Sequence, residues 1–253
     1  AMLGEDVEVV VGLCYSGGKG LNWHATQADQ GKASQSLRVI SSKGKWTSKG
    51  TMVLCDALEW TDWDVVSLQH YGINVKTGRE SVSYPAQTDE KFYKLEVASE
   101  YLLDYIDQHA PQADVYFYMH WAPTSTIAMN AAKSTYNTWA EFFPEVLDYI
   151  GSNSGKRFAD LIPVGLSVQN ARTTYLALLA YNTTAYADKN LNLNTDAQIG
   201  LQRDGGHLSF NIGRYIAGLT FAQTIIPDEL RADGYALPDI RVTESVGKLP
   251  KEY

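Results

Sequence analysis

Four short runs rich in apolar residues, the first of them β-branched, separated by stretches of helical period, constrain this chain most. They are Val7 to Leu13 (VEVVVGL), Asp64 to Leu68 (DVVSL), Asp114 to Met119 and Leu161 to Val164. Such runs read as buried strands when turn signals bound them. Between and after them lie segments that read as helices. One is a short helix over Met52 to Trp60. A long one is capped by Thr88 or Asp89 and ends at His109 before Pro111. Others cover residues 124 to 150, Ser167 to Leu179 and His207 to Ile226. In the long helix, Phe92, Leu95, Ala98, Leu102, Tyr105 and Ile106 share one face. Strands alternating with helices predict a parallel sheet covered by helices on both faces. Val7 to Leu13 is expected to be a central strand of it. Leu37 to Ile40 and Lys45 to Thr47 are expected to form a surface hairpin, and the Asn-rich stretch 182 to 200 a long loop. At 253 residues, with no repeat or linker, the chain reads as one domain.

In open sheets of this kind, ligands bind at the carboxyl ends of the strands. Those ends carry Cys14 to Gly18, Gln69 to Gly72, His120-Trp121 and Pro163 to Gly165. A further motif, Arg203-Asp204-Gly205-Gly206-His207-Leu208-Ser209, precedes the last helical segment. An imidazole can act as general base toward a hydroxyl, and a carboxylate three positions away can hold its tautomer. The same pattern is also what an N-capping aspartate looks like, and the two roles are compatible.

The bulk numbers exclude several classes. A formal charge of −8 argues against nucleic acid or an anionic membrane surface as partner. No run approaches the ~20 apolar residues of a membrane span. The five histidines form no i, i+4 pair and no Cys/His cluster, so no metal is expected, and no phosphate-cradling loop or other cofactor motif appears. Cys14 and Cys55 read as two free thiols rather than a disulfide.

Taken in order, these strand-end motifs resemble the SGNH (GDSL-type) hydrolase superfamily, closest to an uncharacterised bacterial branch. They are Gly12 to Gly18 with Trp23-His24, Trp63 to Gln69, Pro163 to Gly165 with Gln169 to Arg172, and Arg203 to Ser209. The resemblance implies a three-layer α/β/α sandwich with a mainly parallel, flavodoxin-like sheet. It implies a serine ester hydrolase acting on a small-molecule or glycan ester, with removal of O-acetyl groups from carbohydrate as the leading activity and no cofactor. Asp204 and His207 take the parts of orienting acid and base. Gly18 or Gly17 takes that of backbone oxyanion donor, and Gln69 stands where the family's side-chain amide stands. His70, His120, Trp121, Trp23 and Arg172 are candidate substrate contacts. The substrate class implies a protein exported by a bacterium.

In that superfamily the nucleophilic serine ends a strand that comes before the counterpart of Val7 to Leu13. Only six residues precede Val7, so that strand is expected to be missing from this sequence. Ser16, on the turn of Tyr15-Ser16-Gly17-Gly18, is the candidate nucleophile within the chain. Without a nucleophile, the same fold reads as a non-catalytic glycan-binding or scaffold protein.

Overall fold

A computed structural model of the chain describes residues 8–41, 44–70, 88–121, 155–172, 207–209 and 212–226. The chain divides into two compact units, Glu5–Tyr118 with Glu141–Leu161, and Ala1–Gly4 with Met119–Ala140 and Ile162–Tyr253. The expected helix over 124 to 150 and the loop over 182 to 200 lie outside the described residues.

The first unit holds two three-stranded sheets. One has the order β1 (Val10–Tyr15), β2 (Gln35–Ser41), β3 (Thr47–Met52) and is antiparallel throughout, with Gly12 opposite Val39 and Leu37 opposite Gly50. The expected hairpin is therefore present, as β2 and β3, and longer than the sequence suggested. The expectation of a central parallel strand at Val7 to Leu13 is corrected. That strand begins at Val10, pairs antiparallel with β2, and leaves Val10, Val11, Leu13 and Tyr15 41–51% exposed. A β-branched run reports strand propensity and says nothing about which layer receives it.

The second sheet is parallel. β4 (Val65–Gln69) pairs with β5 (Asp114–Tyr118), with Val65 opposite Asp114 and Gln69 opposite Tyr118. On the far side of β5 lies β6 (Asp160–Ile162), which the Ala159 N–H leads in with a 2.7 Å bond to Val115 O. These three strands fall where the sequence put them. The fold is thus mixed α/β, with one parallel and one antiparallel three-stranded sheet.

Helices cover these strands. α1 (Leu21–Asp29) follows β1, α2 (Leu54–Leu58) follows β3, and α3 (Leu95–His109) follows β4. The expected continuous helix from residue 88 is split. Asp89 accepts from the Lys91 N–H at 3.0 Å and caps a single 3₁₀ turn, Glu90–Phe92, and α3 starts afresh at Leu95. Within α3 the buried positions Leu95, Ala98, Ser99, Leu102, Leu103 and Ile106 follow the helical period. Leu103 and Ile106 join Leu58, Ala110, Ala113 and Val115 in the main core, flanked by Trp63, Val66 and Leu68. Leu37, Val39 and Ala57 form a smaller core under the antiparallel sheet, with Cys14 against it. Cys14 and Cys55 are both free thiols, and burial pushes the Cys14 thiol up to about 11.

In the second unit, the Met119 N–H donates to Ile162 O at 3.0 Å, and α4 (Val164–Arg172) starts two residues beyond that carbonyl. α5 (Ile212–Ile225) closes the described chain. Among the described residues no helix is long and apolar enough to cross a membrane.

Candidate functional site

The best-defined polar centre lies in the first unit, where the turn after β1 meets the end of β4. Ser16 to Lys19 form the turn, with the Lys19 N–H donating to Ser16 O at 3.3 Å. Gly18 sits at φ +68°, a conformation that favours glycine, which explains one glycine of the Gly17-Gly18 pair by backbone geometry alone. Ser16 is half-buried on this turn. Gly20 then serves as the N-cap of α1 without a side-chain capping bond.

The bare Cα of Gly20 is what lets β4 reach this helix. A Cβ there would stand 2.8 Å from His70 Cε1, 2.9 Å from His70 Nδ1 and 3.1 Å from Asn22 Oδ1. Into that space comes the His70 imidazole, only 2% exposed, whose Nδ1 accepts the Leu21 N–H at 3.2 Å. Leu21 opens α1, so this bond satisfies one of the N–H groups that a helix leaves without an intrahelical partner. An Nδ1 that accepts leaves the ring proton on Nε2.

His24, one turn into α1, donates from Nδ1 to Gln35 Oε1 at 3.0 Å. Burial lowers His24 to about 4, with the Gln35 bond opposing that shift. Burial likewise lowers His70 to about 4, and the nearby His24 lowers it further. Both rings are therefore neutral at physiological pH. Trp23, 5% exposed, stands edge-on to His24 with centroids 5.2 Å apart, and Lys19 Nζ lies 5.3 Å over its indole. Three buried donor atoms here have no hydrogen-bond partner among the described residues: Asn22 Nδ2, Trp23 Nε1 and His70 Nε2.

Alternation along β4 turns Gln69 to the exposed side and His70 to the buried side. Of the first-unit candidates, the structure therefore brings together Trp23 and His70, with His24 of the same motif and with Gly20, around the start of α1. Sequence reasoning missed α1 itself, and with it Asn22 and the His24 partner Gln35. The available signal was a glycine followed by an Asn-Trp-His cluster just past a strand-ending turn.

The second unit holds the remaining candidates. His120 is 4% exposed and donates from Nδ1 to Trp121 O at 2.6 Å, with its ring stacked on Trp121 at 4.0 Å and 25°. Gly165, second in α4, packs against this strand end, and its N–H donates to Met119 O at 3.0 Å. A Cβ at Gly165 would stand 2.5 Å from His120 O and 3.2 Å from its carbonyl carbon. Gly165→Ala is therefore expected to destabilise the protein by about 2 kcal/mol, because a backbone oxygen cannot swing aside as a side chain can. The gain in helix propensity, under about 1 kcal/mol, offsets only part of that. A urea midpoint equal to that of the parent chain would refute the close approach. Arg172 closes α4.

His207 is exposed and lies five residues before α5, so the expectation that a helix starts at His207 is corrected. Ser209, fully buried, holds the first turn of α5: its Oγ accepts the Gly213 N–H at 2.9 Å and its carbonyl accepts the Arg214 N–H at 3.1 Å. Asp204 itself lies outside the described residues.

Comparison with known proteins adds the family and the fold. The chain is similar to a crystal structure of a DUF4886 family protein from Bacteroides uniformis ATCC 8492, with a TM-score of 0.60 and 20% identity. The match covers 86% of this chain and 71% of that one. No curated protein matches it. The model of a domain of unknown function, DUF4886, matches residues 1–249, and the chain belongs to that family.

Proposed function

We propose that this protein is a serine ester hydrolase of the SGNH type, built on a three-layer α/β/α sandwich and acting on acyl esters of carbohydrate, O-acetyl groups above all. A serine hydroxyl attacks the acyl carbon while His207 takes its proton, and Asp204 holds the imidazole and stabilises its charged form. The tetrahedral intermediate collapses, His207 returns the proton to the leaving sugar hydroxyl, and water resolves the acyl-enzyme by the same route. Gly18, with Gly17, supplies backbone donors to the oxyanion.

One observation carries this reading. The turn that the resemblance makes the oxyanion loop leads straight into a helix N-terminus, and the Leu21 N–H ties that terminus to the end of β4 through His70 at 3.2 Å. A helix N-terminus beside a glycine turn is where developing negative charge is stabilised.

An aryl or alkyl fluorophosphonate distinguishes the two readings of the fold. The full-length natural protein is expected to take up one equivalent on a single serine, and peptide mapping then identifies the nucleophile, with Ser16 as the candidate within this chain. Absence of labelling, together with measurable binding to acetylated glycans, would replace the enzyme with a glycan-binding protein.

A further inference from the structure

We infer that the β2–β3 hairpin is a docking surface for an acidic polysaccharide, one that bears carboxylates as uronate sugars do, with Trp46 against a sugar ring and Lys45 and Lys49 on the carboxylates. It uses none of the residues assigned to catalysis, and rests on the carbohydrate-ester reading only for the class of polymer.

Charge is sorted along this chain. Gln30 to Met52 contains Lys32, Arg38, Lys43, Lys45 and Lys49 and no Asp or Glu. The whole chain has a formal charge of −8, so setting these five positive charges aside leaves −13 for the rest. Lys32, Arg38, Lys45 and Lys49 are all exposed, and none has a carboxylate partner among the described residues. Lys91 and Lys156, by contrast, pair with Asp29 at 2.6 Å and Asp107 at 3.6 Å. Salt screens exposed charges beyond about 10 Å, so an anion at the hairpin meets the local cations first.

The backbone aims one of these cations. Leu37 stands opposite Gly50 but Arg38 opposite Ser48, which leaves Lys49 as the extra residue of a β-bulge. Gly50 takes φ +93°, a conformation that favours glycine, and its N–H donates to Ser48 Oγ at 3.3 Å. Lys49 Nζ lies 5.0 Å from the centre of the Trp60 ring, and Trp60 is itself stacked on Trp63 with centroids 5.9 Å apart. Trp63 is anchored in turn, its Nε1–H donating to Ala57 O at 3.0 Å. The ammonium is thus positioned by a two-ring platform and not by a counter-ion.

Trp46 supplies the apolar half. It is 51% exposed, one residue before β3, and has no ring or cation partner among the described residues. Lys45 precedes it, and Lys49 follows by three residues, about 10 Å along a strand. A free indole can take the apolar face of a pyranose ring, and ammonium groups to either side take carboxylates. The surroundings choose among anionic partners. From Lys43 to Thr51 the chain reads KGKWTSKGT, with Trp46 its only large apolar side chain. A bilayer surface rewards several apolar side chains entering together. One ring with cations spaced beside it suits a polymer with separated charges.

The test is isothermal titration calorimetry of the full-length protein with polygalacturonate and with neutral galactan. The expected result is saturable binding to polygalacturonate, weaker at higher salt, and none to the galactan. Trp46→Ala is expected to weaken binding about 3- to 10-fold. Lys45→Glu with Lys49→Glu is expected to weaken it about 10-fold or more, by turning two attractions into two repulsions. All three side chains are exposed, so urea midpoints should match that of the parent protein. Absence of binding, equal binding to the galactan, or binding untouched by either variant overturns the inference. So does binding to phosphatidylglycerol vesicles with none to polygalacturonate, which would assign the hairpin to a membrane surface. Ester hydrolysis, measured in parallel, separates the two proposals. Binding to polygalacturonate without hydrolysis of any ester would sink the enzyme reading and leave the docking surface standing. Hydrolysis without that binding would do the reverse.

Discussion

Between pH 7 and pH 4 the protein is expected to lose stability steeply, by on the order of 6 kcal/mol, through His24 and His70 together. Both rings titrate near 6.5 when the chain is unfolded. In the folded protein burial holds each near 4. Above pH 6.5 neither state binds these protons, and stability is unaffected. As pH falls from 6.5 to 4 the unfolded chain takes them up and the folded protein does not, so the equilibrium moves toward unfolding. Below 4 both states are protonated and the loss stops growing. Each ring contributes about 3 kcal/mol, from about 2.5 pH units at 1.36 kcal/mol each. Whole-domain stabilities are about 5–15 kcal/mol, so a loss of this order is a large share of the total. Urea unfolding at pH 7, 5.5 and 4.5 measures it. His70→Gln should flatten the pH dependence by about half, and a wild-type stability constant down to pH 4.5 would contradict the buried neutral pair.

These two histidines also mark the limit of what was legible in the chain. The strands β4, β5 and β6 and the face of α3 were readable, because buried runs and a 3.6-residue period leave direct traces in sequence. α1 was not. Seven of its nine residues are buried, among them Asn22, Thr26 and Gln27, so no polar face contrasts with an apolar one. Its polar side chains are held by specific bonds instead. The Thr26 hydroxyl, for example, donates to Asn22 O at 2.8 Å and accepts the Asp89 N–H at 2.9 Å. Such pairings depend on residues 63 positions apart and have no local signature. β1 was misplaced for the converse reason, since apolar residues on both faces read as a central strand yet here remain largely exposed. The split before α3 has no Pro or Gly to announce it. The start of α5 moved because Ser209, two residues after His207, captures the Gly213 N–H. In the candidate site, glycines and histidines were recognisable by type. Their grouping was not, because it depends on His70 lying against Gly20.

If the proposed mechanism holds, the largest effect expected on function is from His207. Removing the general base of a serine hydrolase leaves only binding and oxyanion stabilisation, and costs roughly 10³–10⁶ in turnover. His207→Ala should be well tolerated structurally, because the side chain is exposed and the Gly213 N–H in the first turn of α5 is held by Ser209. An activity loss in that variant therefore reads on chemistry rather than folding. Asp204→Asn is expected to lower the rate less than His207→Ala, since it removes orientation and charge stabilisation and keeps the base.

The decisive measurement is acetate release by the full-length protein from a panel of acetylated glycans and a small aryl acetate, with His207→Ala alongside at equal, verified folded concentration. The account predicts release by the unaltered protein and a fall of at least 10³-fold in the variant. Equal rates in the two proteins, or no release from any ester by the unaltered one, would contradict it.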